Sequence, residues 1–157
     1  MDEYRRYIAG QSRAYMEHVR RLVASRATWE AIIEQDVALM EGVKGIDYTR
    51  VQVAGGQRAD RMAELLDRLE GNRRQHEASM AALVEAVEDA QERVSRIDAP
   101  YSTLLLLRYV SDLPWGEVAR RVHYSEDYCK KELQDAALVE MHAHIPTEWR
   151  DPSHRAV

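Results

Sequence analysis

The sequence is poor in the residues that mark secreted, loop-rich or membrane proteins. Its 157 residues include one cysteine, four prolines and seven glycines. One cysteine cannot form an internal disulfide, so a secreted disulfide scaffold is excluded and we expect a reducing compartment, the cytoplasm. No stretch approaches the roughly 20 continuous apolar residues that span a bilayer, and the acidic start Met1-Asp2-Glu3 is not typical of a targeting segment. We therefore expect no membrane association.

Motifs of catalysis and of metal binding are also missing from the sequence. It has no Gly-rich phosphate loop, no Gly-x-Ser-x-Gly turn and no nucleophile with an evident base, so we expect no enzyme activity. His142 and His144 would point to different faces of a helix and there is no cysteine pair, so we expect no metal and no cofactor. Cys129 is predicted to be a small core residue rather than a reactive thiol.

The charge balance is acidic. The chain has 22 lysine and arginine residues against 27 aspartate and glutamate residues, a formal net charge of −5. This argues against a protein that coats nucleic acid regardless of sequence, whereas a sequence-reading domain can be near neutral if its few basic residues are well placed. Apolar residues make up 45% of the chain, enough for the core of one domain or two small ones.

The first 41 residues predict one long amphipathic helix. Apolar residues recur there at intervals of mostly three or four, at Tyr15, Val19, Leu22, Trp29, Ile33, Val37 and Met40. Glycines at positions 42, 45, 55 and 56 then bracket the β-branched stretch 46–53. This stretch breaks the helical period, so it is predicted to be an ordered loop between helices.

From Gln57 a second helical pattern begins with a strict alternation of four and three. We call its eleven positions the seam: Met62, Leu66, Leu69, Arg73, His76, Met80, Leu83, Val87, Ala90, Val94 and Ile97. Such a repeat needs a partner along its length, and the first helix has the only equally long apolar face. We therefore expect an antiparallel hairpin, with pairing between chains as the alternative. Arg73 and His76 either fix the register, line a partner site or reach solvent, and we favour the last.

The remaining sequence predicts three short helices and a tail. Asp98 and Pro100 cap and open the first of them. The helices are expected at 101–110, at 115–122 after a turn, and from the N-cap Ser125 to about Met141 or His144. Pro146 ends the last helix, and a loosely held tail is expected after it. Trp29, Trp115 and the tyrosines at 101, 109, 124 and 128 are expected to be helix-packing residues.

Residues 115–133 fit the frame of a helix-turn-helix. The small Ala119 falls where two helices approach closely, and the buried positions are Val118, Val122, Cys129 and Leu133. His123 occupies the turn position that usually holds glycine. It must therefore adopt a left-handed conformation, unless the turn differs.

From Ile97 to Met141 the sequence resembles a known family. The resemblance is carried by Asp-Ala-Pro-Tyr at 98–101, Leu-Arg-Tyr-Val at 107–110, Pro-Trp at 114–115, Glu-Val-Ala at 117–119 and Tyr-Ser at 124–125. These elements resemble the sigma-factor region-four-like end of small phage and prophage regulators, the ArpU/RinA-like late-operon activators. The long helical N-terminal half is also typical of such proteins. The resemblance implies a transcription regulator whose third short helix enters the major groove of DNA and whose surface touches RNA polymerase.

The residues themselves suit the first part of that role. The third helix is expected to present Ser125, Glu126, Asp127, Lys130, Lys131 and Gln134 opposite Cys129 and Leu133. These side chains carry the donors and acceptors that base edges and phosphates require, and Arg120 and Arg121 are candidate backbone clamps. The competing interpretation is that all of them are ordinary solvated charges.

The local charge count argues for help from a second molecule. Residues 99–145 hold five lysines and arginines against seven aspartates and glutamates, a net charge of −2. Such a domain should bind DNA weakly unless a dimer or RNA polymerase adds contacts, so we expect a homodimer or a complex with the polymerase. Two alternatives remain: a ring-forming, small terminase-like DNA-packaging subunit, and a helical protein-interaction module that does not bind DNA.

The predicted architecture is all-α. It consists of a long antiparallel, coiled-coil-like helical hairpin at 1–97 with a loop at about 42–56, which would serve as a dimerisation or docking arm. A sigma region-four-like helix-turn-helix domain follows at 98–145, and a flexible tail at 146–157.

Overall fold

The structure, a computed structural model, describes residues 2–44 and 55–150. These residues are predominantly helical and contain no strand, so the predicted all-α class is confirmed. The ordered loop predicted at 46–53 lies outside the described residues. Among the helices of the described ranges, none combines the length and apolar character needed to cross a bilayer.

Two long helices precede several short ones. The elements in chain order are α1 (Glu3–Lys44), α2 (Gly55–Val94), α3 (Tyr101–Leu105) continuing as a π-helical turn (Leu106–Val110), α4 (Trp115–Val122), α5 (Glu126–Tyr128), a second π-helical turn (Cys129–Leu133), α6 (Gln134–Met141) and a 3-10 turn (Thr147–Arg150). The segments from α5 to α6 follow one another without a break, and we call residues 126–141 the C-terminal helix. The chain divides into a larger compact unit, Met1–Ala24 with Leu83–Val157, and a smaller one, Ser25–Ala82.

The core of the larger unit joins segments that are far apart in sequence. The first part of α1 contributes Tyr15, Met16 and Val19, and the end of α2 contributes Ala90 and Val94. The short helices and the residues after them contribute Leu104, Leu105, Tyr109, Val118, Ala119, Cys129, Leu133, Ala137, Leu138, Met141 and Ile145. The short helices therefore bury their apolar faces on the two long helices as well as on one another.

Polar contacts tie the same segments together. The Tyr15 hydroxyl donates to a carboxylate oxygen of Asp89 at 2.7 Å. Arg93 donates to Asp89 at 2.9 Å and to the backbone carbonyl of His144 at 2.8 Å. Through these contacts α1, α2 and the segment after the C-terminal helix are held to one another by partly buried, charge-assisted hydrogen bonds.

The loosely held tail predicted after Pro146 is wrong for residues 147–150. These residues form a helical turn, and Trp149 packs on the core with its ring 6.0 Å from that of Tyr15 and 5.3 Å from that of His18. Apolar contact with α1 orders this segment although Pro146 ends the preceding helical pattern. Residues 151–157 of the predicted tail lie outside the described residues.

A buried glutamine joins this turn to α1. The side-chain amide of Gln11 donates to the Tyr7 hydroxyl at 3.0 Å and to the Arg150 carbonyl at 3.1 Å. Its side-chain oxygen lies 2.7 Å from Nε2 of His142. Burial, and secondarily the positive charge of Arg150, lower the pKa of His142 below its usual value of 6.5.

The smaller unit has a small core of its own. Met40, Leu65 and Leu69 are buried together, with Ile33, Val43 and Met62 packed against them. One charged side chain is buried beside this core: Asp36 is 1% exposed, accepts a hydrogen bond from Asn72 and forms an ion pair with Arg68 at 3.0 Å. A buried carboxylate needs such partners, because an unpaired charge in the interior is strongly destabilising.

The seam predicted on α2 is partly wrong. Leu69, Leu83, Ala90 and Val94 are buried as expected, but Leu66 is 43% exposed and its neighbour Leu65 is 5% exposed. A straight α-helix has 3.6 residues per turn and drifts away from a strict 3.5-residue repeat. The face in contact therefore changes from one part of α2 to another.

On α1, too, the buried face differs from the predicted one, and the two polar seam positions differ from each other in exposure. Val37, predicted to lie on the apolar face of α1, is 37% exposed, while Asp36 takes the buried position. Arg73 is exposed, as expected. His76 is only half-exposed, and its Nε2 atom is buried without a hydrogen bond within the described part of the chain.

The predicted cap of α3 by Asp98 is also wrong. The residue that precedes α3 is Pro100, and it offers no side-chain hydrogen bond. Asp98 acts through its backbone instead, because its carbonyl accepts the Ser102 N–H at 3.1 Å.

We expect Leu65→Ala to lower the free energy of unfolding by about 2 kcal/mol or more, because it removes a buried side chain and leaves a cavity. The adjacent substitution Leu66→Ala is the matched control and should change it by no more than about 0.5 kcal/mol. Urea unfolding followed by circular dichroism measures both. Equal losses would show that the strict seam, with Leu66 inside, describes the packing better.

The lowered pKa of His142 makes stability depend on pH. The unfolded chain binds the proton more tightly than the folded chain, so this contribution is complete above pH 6.5 and is lost as the pH falls through 6.5 toward the folded-state pKa. Urea unfolding of the wild type and of His142→Gln on both sides of pH 6.5 tests this. The variant should lose less stability on acidification, and an identical loss in both proteins would contradict the assignment.

Candidate functional site

The turn between α4 and the C-terminal helix is defined by two backbone conformations. His123, directly after α4, has φ 63° and ψ 35°, and its N–H donates to the Ala119 carbonyl. Ser125 is extended, and its hydroxyl accepts the N–H of Tyr128 at 3.2 Å. Of the two alternatives for His123, the structure shows the left-handed conformation, and the predicted N-cap at Ser125 is confirmed.

The two helices meet on the predicted side. Val118, Ala119, Cys129 and Leu133 are buried in the core, and Val122 is packed against it in part. Burial, and secondarily the charge of nearby Glu126, raise the pKa of the Cys129 thiol. Cys129 is thus the core residue predicted from the sequence, with a protonated thiol at neutral pH.

Four acidic and basic side chains of the predicted site cover the outer face of the C-terminal helix. Glu126, Asp127, Lys130 and Lys131 are all exposed. They form two ion pairs along the helix, Lys130–Glu126 at 2.7 Å and Lys131–Asp127 at 2.9 Å. Each lysine is therefore matched by a carboxylate one turn earlier, and the face carries alternating charges instead of a positive field.

The two arginines at the end of α4 are paired in the same way. Arg120 and Arg121 both donate to the carboxylate of Glu117. These hydrogen bonds hold the pKa of Glu117 at about 2, so the carboxylate is ionised at every physiological pH. Both arginines remain largely exposed, with 71% and 51% of their side chains accessible.

The predicted outward placement of Gln134 is wrong. Its side chain is half-buried and donates to the hydroxyl of Tyr109, which is itself fully buried. The π-helical turn Cys129–Leu133 is wider than an α-helical turn, so it rotates the following residue toward the core. An ideal α-helix, which the sequence pattern assumes, places Gln134 on the opposite side from Cys129.

Two exposed aromatic residues at this site were missed. The rings of Tyr124 and Tyr128 lie 5.2 Å apart, and the residues are 46% and 42% exposed, so their predicted role in helix packing is wrong. The signal was available in the sequence, because Tyr128 directly precedes the buried Cys129 and so faces another side of the helix. Tyr109, by contrast, is buried as expected.

Trp115 and Tyr101 behave as predicted packing residues. Both are partly buried against the core of the larger unit. The guanidinium of Arg108 lies 4.8 Å from the ring centroid of Trp115, and it also donates to the Leu113 carbonyl at 3.0 Å. Arg108 thereby closes the turn that precedes α4.

Within residues 2–44 and 55–150, no three His, Cys, Asp or Glu side chains cluster in the way that metal ligands do. No family model, curated protein or solved structure matches the chain.

The left-handed His123 predicts a difference between two substitutions. A residue with a Cβ atom is strained in this conformation, whereas glycine is not, so His123→Gly should be more stable than His123→Ala by about 1 kcal/mol. His123 is exposed, so both variants lose the same solvent-facing ring. Thermal unfolding of the two variants measures the difference, and an alanine variant as stable as the glycine variant would contradict the strained turn.

Proposed function

We propose that this protein is a DNA-binding transcription regulator that acts in the cytoplasm and belongs with the phage and prophage regulators that its C-terminal sequence resembles. The observation that carries the proposal is the turn between α4 and the C-terminal helix. A left-handed His123 and a capped Ser125 separate two helices whose buried faces are the ones a helix-turn-helix requires. An α-helix of about 10–12 Å diameter fits the roughly 12 Å width of the major groove.

Each exposed side chain of the C-terminal helix has a chemical role in this proposal. Lys130 and Lys131 donate to guanine edges or to phosphates, and Glu126 or Asp127 accepts from a cytosine amine. The backbone N–H groups that follow Ser125 suit a phosphate at the start of the helix. Gln134 has no such role, because its amide is held by Tyr109.

Arg120 and Arg121 are assigned to the DNA backbone. They lie at the end of α4, the helix that precedes the C-terminal helix, and their guanidinium groups are exposed. The fork of a guanidinium matches the geometry of a phosphate, so such contacts orient the protein without reading sequence.

The ion pairs limit how tightly one subunit binds. Exposed pairs are weak because water and salt screen them, so a phosphate can replace the carboxylate partner of Lys130 or Lys131 at little cost. The nearby carboxylates nevertheless cancel the long-range attraction that draws a protein to DNA. We therefore propose that a homodimer or a complex with RNA polymerase supplies further contacts.

The long helices are the proposed arm for this assembly. We assign α1 and α2 to an antiparallel hairpin, which the contacts of Asp36 with Arg68 and Asn72 support within the smaller unit. Among its described residues, the smaller unit buries few apolar side chains and leaves Val37 and Leu39 more than one third exposed. Such a surface suits contact with a second chain.

A protein-interaction module without DNA binding is the second candidate. It is favoured by the same ion pairs, because all four predicted DNA-contacting cations already have a carboxylate partner. The exposed Tyr124–Tyr128 pair also suits a protein surface, since tyrosine is enriched at protein interfaces.

The deciding experiment is capture of fragmented genomic DNA of the source organism by the purified protein, with and without RNA polymerase of the host. Enrichment of an intergenic fragment supports the regulator, and enrichment only with polymerase supports a sigma-like accessory role. No enrichment in either condition favours the protein-interaction module. The oligomeric state in solution adds a second test, because a dimer fits regulation and a large ring fits DNA packaging.

The double substitution of Lys130 and Lys131 by alanine should weaken DNA association and reduce the slope of log affinity against log salt by up to about 1.8, at about 0.9 per lost phosphate contact. Fluorescence anisotropy with a short duplex over a salt series measures both quantities. Arg73→Ala with Arg74→Ala is the matched control, because it removes two exposed charges from α2. If both the affinity and the slope are unchanged in the lysine variant, the C-terminal helix does not contact DNA.

A further inference from the structure

A groove lies along one flank of the C-terminal helix, within the larger unit. Its volume is about 410 Å³, and its charged lining residues are Arg5 and Arg6 from the start of α1, and Lys131, Glu132 and Asp135 from the C-terminal helix. We call it the α1 groove. The folded chain thus brings the first helix to the side of the helix that carries the candidate site, a neighbourhood that sequence order does not suggest.

The charges in the α1 groove are not equally engaged. Asp135 forms an ion pair with Arg13 of α1 at 3.0 Å, and Lys131 is paired with Asp127. Arg5 and Arg6 are exposed, and neither guanidinium has a carboxylate partner in the described part of the chain. They differ in this respect from all four cations predicted to contact DNA.

The acidic residues near these arginines do not remove their charge. One carboxylate oxygen of Asp2 accepts the backbone N–H of Arg5 at 2.7 Å, so it serves as a cap of α1. Glu3 and Glu132 are exposed to water. Residues 2–24 as a whole hold five arginines against three acidic residues, a net charge of +2, opposite in sign to the −2 of residues 99–145.

We propose that the α1 groove binds a phosphate of the DNA backbone and that Arg5 and Arg6 are phosphate-binding residues that α1 adds to the C-terminal helix. The inference rests on the proposed DNA-binding function. Lys131 belongs both to the exposed face of the C-terminal helix and to the groove, so a duplex seated on that face brings a backbone strand along the flank. Two free guanidinium forks at that position suit phosphate oxygens better than a lysine does.

The test compares variants of the full chain in binding a short mixed-sequence duplex over a salt series. Arg5→Ala with Arg6→Ala should weaken binding and lower the slope of log affinity against log salt by about 0.9, the value for the one phosphate that the two arginines share. Arg5→Lys with Arg6→Lys keeps the charges and should restore most of the slope. Arg73→Ala with Arg74→Ala removes the same charge from the smaller unit and should leave the slope unchanged.

The outcomes separate this inference from the function on which it rests. If the Lys130 and Lys131 variant loses salt dependence but the Arg5 and Arg6 variant does not, the inference is overturned and DNA binding stands. If the wild type binds duplex DNA neither alone nor with RNA polymerase of the host, both the inference and the proposed function are overturned. An equal loss of slope in the Arg73 and Arg74 control would show that the effect reflects the net charge of the chain, and would overturn the proposal that the α1 groove binds phosphate.

Inorganic phosphate serves as the second probe. A rise in thermal midpoint with phosphate that depends on Arg5 and Arg6, together with an unchanged DNA slope, would assign the groove to a free anion and overturn the proposal. The thermal midpoints of the variants without ligand check folding. They should equal that of the wild type, because both arginines are exposed.

Discussion

The candidate site depends on one constraint: the short helices cannot bury their apolar faces without the two long ones. Tyr15, Met16 and Val19 of α1 and Ala90 and Val94 of α2 share a core with Cys129 and Leu133 of the C-terminal helix. Because those last two residues are anchored there, the opposite face of the same helix points to water. The same packing places the start of α1 at the flank of the C-terminal helix, because the core residues of α1 lie within a few turns of that start. Core packing therefore positions Lys130 and Lys131 on the C-terminal helix and the two arginines, Arg5 and Arg6, at the start of α1.

Polar contacts add precision to this packing. Arg20 of α1 forms an ion pair at 2.6 Å with Asp112, whose φ of 53° marks the tight turn before α4. Burial alone would raise the pKa of Asp89, but hydrogen bonds from Arg93 and Tyr15 outweigh it and lower the pKa. The carboxylate thus stays ionised and holds α1 to α2 through Tyr15. Directional contacts of this kind fix the rotation of a helix, which apolar contacts alone specify less sharply.

Local chemistry was readable from the sequence, and long-range register was not. The left-handed His123, the cap at Ser125 and the buried Cys129 follow from residues within a few positions of one another. The predicted position of Gln134 is wrong because a π-helical turn rotates the C-terminal helix. No single residue in the sequence indicates such a turn. Leu66 was misplaced because the contact face drifts along α2. Trp149 and the α1 groove depend on contacts between distant segments, which periodicity within one segment does not contain.

In the proposed function, the paired lysines lie on the C-terminal helix and the unpaired arginines lie on α1. This division of charge has a physical consequence. The exposed face of the C-terminal helix attracts random DNA weakly, because its lysines are paired with carboxylates. Its contribution to binding therefore comes mainly from hydrogen bonds to the correct bases. Arg5 and Arg6 supply attraction to any phosphate, but they lie on a different segment of the chain. Attraction to phosphates and recognition of bases then occur at one surface only where the larger unit is folded, because its core and the Arg13–Asp135 ion pair hold α1 beside the C-terminal helix. Ordering of that core and DNA binding are therefore coupled, and DNA should stabilise the larger unit.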